Sequence, residues 1–108
     1  MHASILKRLQ KLEDYFLKEI RLRLKEAQNS LDVLEKELFC LRQTLEQERI
    51  SCHFSVTFED FKEKTLNQIK ILTVECEEKR IEVEMIFEEL QEHYRQNKMY
   101  EILKKKLP

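Results

Sequence analysis

An all-α fold, a long two-helix antiparallel coiled-coil hairpin, is what this chain predicts, and three observations predict it. The 108 residues contain no glycine and one proline, Pro108, so chain reversals, which favour Gly and Pro, must be few. Charged residues make up 38% of the chain, a composition typical of long solvated helices. Leu24, Ala27, Leu31, Leu34, Leu38, Leu41 and Leu45 recur at alternating spacings of three and four, the a/d seam of a coiled-coil helix that needs a matching stripe from a partner.

The first helix is expected over residues 5–49, with Ser4 as its N-cap. Ile5, Leu9, Leu12, Phe16 and Ile20 share one face, and the successive spacings of four between Leu12 and Leu24 predict a stripe that drifts before the regular heptads begin. Leu17, beside Phe16, shares the seam across this shift. The reversal is placed at 50–57. A new helix start follows it, with Thr57 and Asp60 spaced as a capping box, Val56 and Phe61 as a hydrophobic staple, and Glu59 and Asp60 at the positive end of the helix dipole. The second helix then runs over 58–106. Its seam is Phe61, Thr65, Ile69, Leu72, Cys76, Lys79, Val83, Ile86 and Leu90, and Lys104, Lys105 and Lys106 suit its negative end.

In an antiparallel hairpin the numbers of facing residues add to a nearly constant value. Leu45 with Phe61, Leu38 with Ile69, Leu34 with Leu72, Leu24 with Val83 and Leu17 with Leu90 all give 106 or 107. Small Ala27 then faces Lys79, whose aliphatic stem can cross the seam while its amine stays in water. Two helices of about 45–50 residues would each be roughly 70 Å long, a rod with a narrow core that favours a partner.

Net charge is −1, but residues 1–25 carry seven basic side chains against three acidic ones, and residues 93–108 carry five against one. Folding the hairpin collects these ends, so Lys7, Arg8, Lys11, Lys18, Arg95, Lys98, Lys104 and Lys105 form a candidate partner-binding surface above an acidic body. Asp14 with Lys18, Glu19 with Arg23 and Glu101 with Lys105 are spaced as ordinary helical ion pairs. Ile50, Phe54 and Val56 put more apolar surface at the reversal than a turn requires, a candidate second contact.

Catalytic chemistry finds little support. Cys52 and His53 are adjacent but lack the further ligands zinc needs, so no metal and no cofactor is expected. Cys40 and Cys76 lie at or beside the seam, where a thiol acts as a small apolar filler. Carboxylates are spread over helix surfaces with no pocket to raise a pKa, and the lack of glycine rules out a phosphate-cradling loop. Nucleic acid is disfavoured as a partner because the acidic body would oppose a duplex lying along it. The odd number of cysteines without CxxC spacing, the lack of an apolar leader and the lack of a long apolar run point to a cytoplasmic protein that does not insert into a membrane.

The segment from Glu82 to Lys106, EVEMIFEELQEHYRQNKMYEILKKK, passes from an apolar helix into an aromatic and basic end. With this segment, the glycine-poor hairpin resembles the central-stalk proteins of type III secretion ATPases, the family of the flagellar FliJ protein and its virulence-system counterparts YscO and EscO. The resemblance implies a fold like the coiled coil of the rotary ATPase γ subunit. It also implies that the paired termini enter the pore of a homohexameric secretion ATPase and that the other end faces the membrane export gate. The implied location is peripheral, at the inner-membrane base of a flagellar or virulence secretion apparatus. The alternative reading is a helical-hairpin secretion chaperone or coiled-coil adaptor, which would hold an amphipathic helix of its partner along an exposed apolar stripe.

Overall fold

The structure, a computed structural model, describes residues 2–52 and 56–107. Two helices, α1 (His2–Cys52) and α2 (Val56–Lys106), each of 51 residues, account for nearly all of them. They pair as an antiparallel helical hairpin, as the composition and heptads predict. Arg49 lies in the last turn of α1, Glu59 in the first turn of α2 and Lys104–Lys106 in its last, each charge complementing its end of the dipole.

The helix ends differ from expectation. α1 already begins at His2, so Ser4 is a residue of its first turns rather than its cap. It also runs on through Ile50 and Ser51, where the Ser51 hydroxyl donates to the Gln47 carbonyl at 3.0 Å, a bond that suits a helical backbone. α2 starts at Val56, which puts Thr57 inside the helix and replaces the expected capping box. Of the segment 50–57, residues 50–52 and 56–57 are helical. His53, Phe54 and Ser55 lie outside the described residues.

Packing divides the chain into two compact units, one made of Met1–Ala27 with Glu82–Pro108 and the other of Gln28–Ile81. In this terminal unit Leu17, Ile20, Ala27, Ile86 and Leu90 form a buried cluster, with Leu24 and Val83 packed against it. Toward the chain ends the seam does not follow Ile5, Leu9, Leu12 and Phe16, all of which are exposed. It continues without drift through Leu6, Gln10 and Glu13 on α1 and through His93, Asn97 and Tyr100 on α2, all buried or half-buried. The physical reason is rigidity: once Leu17, Ile20 and Leu24 lock against α2, the seven-residue repeat fixes which side chains face it, whatever their polarity. A one-residue shift would turn the helix by about 100°.

The middle unit keeps the expected seam. Leu38, Phe58, Thr65 and Cys76 are buried, and Leu31, Leu34, Leu41, Leu45, Phe61, Ile69 and Leu72 are half-buried. Phe58, expected only to start the second helix, joins the seam at 5% exposure. Cys76 is the most deeply enclosed side chain described, at 1% exposure, consistent with its role as an apolar filler.

Candidate functional site

The terminal unit gathers the side chains that sequence reasoning singled out. Lys7, Arg8, Lys11 and Lys18 come from α1 and Arg95, Lys98, Lys104 and Lys105 from α2, and all eight are exposed. Arg95 is tied to Glu92 at 3.3 Å, one turn before it on α2. Among the described residues Arg8, Lys11, Lys18 and Lys98 make no ion pair. Lys104 and Lys105 share a shallow polar cleft with Gln10, Asp14, Asn97 and Glu101, so carboxylates partly offset their charge.

Four cross-helix polar contacts hold this unit in register. In the seam, Nδ1 of His93 meets the carboxylate of Glu13, which is only 5% exposed, and the imidazole ring lies 5.9 Å from that of Phe16. Asn97 Nδ2 donates to Asp14 at 3.2 Å. Arg21 donates from Nε to the Tyr94 hydroxyl at 2.8 Å while its guanidinium carbon sits 5.2 Å from that ring's centroid, adding a cation–π attraction. Arg23 reaches Glu89 through two nitrogens, at 3.3 and 3.2 Å. These replace the expected i, i+4 pairs, because Asp14 and Arg23 pair across the hairpin and Glu19 accepts from Tyr15 at 2.7 Å. That hydrogen bond to Glu19 raises the Tyr15 pKa above its usual value. No buried side-chain nitrogen or oxygen among the described residues lacks a partner.

Sequence reasoning missed Gln10, Glu13, His93 and Asn97, the polar residues of the seam. Counting heptads back from Leu24 through Ile20 and Leu17 reaches Glu13 and Gln10 directly. The four apolar residues one position earlier masked that signal. Ile5, Leu9, Leu12 and Phe16 therefore form a second stripe outside the hairpin seam.

In the middle unit Ile50 is 69% exposed on the last turn of α1. Phe54 lies outside the described residues, as does the side chain of Val56, so the second candidate contact is represented by Ile50 alone. An open apolar groove is lined by Val33, Cys40, Leu41, Thr44, Ile71 and Leu72, with Lys36 and Glu37 at its edge. Arg80 bridges Glu35 and Glu77, each at 3.2 Å, and both hydrogen bonds raise its pKa. Arg49 holds the Glu46 carboxyl below the usual carboxylate range.

Among the described residues no group of three or more His, Cys, Asp or Glu side chains could hold a metal ion, and no helix is long and apolar enough to cross a membrane. The molecule belongs to the broad class of antiparallel helical hairpins, with charge and apolar surface on its terminal unit. No known protein family, curated protein or solved structure matches the chain.

Proposed function

We propose that the chain is a non-enzymatic coupling protein, the central stalk of a type III secretion ATPase, working at the cytoplasmic base of the secretion apparatus. The observation that carries this reading is that both basic terminal segments belong to one compact unit, with all eight candidate basic side chains exposed. Such an end suits entry into a ring of identical subunits lined by acidic or polar loops. Two unlike helices cannot contact six equivalent subunits equally, so the stalk would bias those subunits into different states and thereby stimulate ATP hydrolysis. Ile50, with Phe54 and Val56, would meet the export gate.

The helical-hairpin chaperone or adaptor reading is favoured by a different observation, the exposed stripe of Ile5, Leu9, Leu12 and Phe16. Charge reversal separates the two. Single exposed ion pairs contribute about 0–1 kcal/mol, so Arg8, Lys11, Arg95 and Lys98 are changed to Glu together. The quadruple variant should keep its helicity, fail to recover a hexameric secretion ATPase from native lysate and fail to stimulate ATP hydrolysis. Wild-type recovery and stimulation by that variant would replace the stalk with the chaperone.

A further inference from the structure

The terminal unit has two unlike flanks. On one, Arg21 meets Tyr94 and the polar cleft holds Asp14 beside Glu101, and in each pair the residue numbers add to 115. On the other, Arg23 meets Glu89, whose numbers add to 112. The same register places Leu9 opposite Leu103 and Phe16 opposite Gln96. Ile5 and Leu12 lie a turn from Leu9 on α1, and Met99 lies a turn from Leu103 on α2. All six apolar side chains of this second flank are exposed. Phe16 also touches the seam, its ring 5.9 Å from that of His93, and the seam at this level carries the polar Gln10, Glu13, His93 and Asn97.

We propose that this flank, formed by Ile5, Leu9, Leu12, Phe16, Met99 and Leu103, docks one acidic amphipathic helix of another protein. It goes beyond the stalk reading and stands whether or not the partner is an ATPase. The spacings of four, three and four along Ile5–Phe16 match the seam of a helix–helix contact and span about 16 Å at 1.5 Å per residue. The charge around the flank selects the occupant. Arg8 stands one turn from both Ile5 and Leu12. On α2, Arg95 stands one turn from Met99 and Lys106 one turn from Leu103, against the single carboxylate of Glu92 on that wall. All three are exposed, and of these Arg95 alone has an ion pair among the described residues, with Glu92.

A helix with leucine-like residues on one face and Glu or Asp on its shoulders satisfies both the apolar floor and the basic rims. A second copy of this chain seated flank to flank would set one basic rim against another. A lipid surface would favour an apolar arc centred on the outermost face of one helix, yet here that face carries Arg8, and the facing wall carries Glu92 and Gln96.

The test uses the full chain and two fluorescein-labelled peptides of about 21 residues, three heptads each, with Leu at a and d and either Glu or Lys at the flanking positions. Fluorescence anisotropy should show the Glu peptide binding at least roughly tenfold tighter than the Lys peptide, with the difference shrinking as NaCl rises from about 50 to about 500 mM. A variant combining Ile5→Ala, Leu12→Ala and Met99→Ala should lose roughly tenfold or more of that affinity. Its melting curve should stay near wild type, since the three side chains are at least half exposed and alanine favours helix. Equal affinity for both peptides, or unchanged Glu-peptide binding by the triple variant, overturns the proposal. Sedimentation showing a dimer that the triple variant abolishes would assign the flank to a second copy. Binding to vesicles rich in phosphatidylserine, without peptide binding, would assign it to lipid.

Discussion

Replacing His93 with Leu should weaken the hairpin, and replacing Glu13 with Leu as well should more than restore it. Glu13 is 5% exposed and its carboxylate meets Nδ1 of His93, whose side chain remains 24% accessible. Leaving a buried polar group without its hydrogen-bond partner costs about 1–3 kcal/mol, and more for a charged one. Here the opening at His93 admits water to the stranded carboxylate, so His93→Leu is expected to cost about 2 kcal/mol. With Leu at both positions no polar group needs desolvation, and each new side chain adds apolar burial worth up to about 1.5–3 kcal/mol. The double variant should exceed wild type by about 1–3 kcal/mol. Urea unfolding followed by circular dichroism reads this directly: for a slope of about 1–3 kcal/mol/M, single and double variants should separate by about 1 M or more in midpoint. If the effects of the two single substitutions add to that of the double within about 0.5 kcal/mol, Glu13 and His93 do not share a layer and the polar-seam argument fails.

Leu38→Asp places a carboxylate at a buried position of the middle unit and should cost several kcal/mol; an unchanged melting curve would mean that Leu38 is exposed. In a Cys52→Ser background, Cys40 should react with a thiol reagent at the rate of an exposed cysteine, while Cys76, at 1% exposure, should react only as the chain unfolds. Equal rates would show that the seam around Cys76 opens freely.

Much of the hairpin is legible in the residues. From Leu24 to Leu45 the heptads are apolar and regular, and their pairing with Phe61–Val83 checks itself through the constant sum, so register and antiparallel sense both follow. In the terminal unit the expected seam holds from Leu17 to Ala27 and from Val83 to Leu90, but the stripe from Ile5 to Phe16 lies one position out of phase, because apolarity and heptad phase disagree there. Ile5, Leu9, Leu12 and Phe16 are the more apolar choice, yet Leu6, Gln10, Glu13 and Leu17 are in phase with the buried cluster, and the rigid helix follows phase. At the reversal, capping signals around Thr57 indicate that a helix starts nearby without fixing the residue, and α2 begins at Val56. The basic side chains were found because charge needs no register. The apolar flank was hidden because its residues were assigned to the seam.

Each helix is complete in itself but buries its leucines only against the other, and this sets a vulnerable interval during synthesis. Glu35 and Arg80 are separated by 45 residues and Glu13 and His93 by 80, so these contacts must wait until much of α2 exists, while pairs nearer the reversal can form earlier. At about 5–20 residues per second, translating the 51 residues of α2 takes roughly 3–10 s, during which α1 presents a shrinking part of its Leu24–Leu45 stripe to solvent unpaired. Pairing then zips outward from the residues closest in sequence, and the Glu13–His93 layer and the seam beyond it, through Gln10, Leu6, Asn97 and Tyr100, close last. Nascent chains should therefore be captured by ribosome-associated holdases while α2 is being made, and released once the stretch facing Leu24 has emerged.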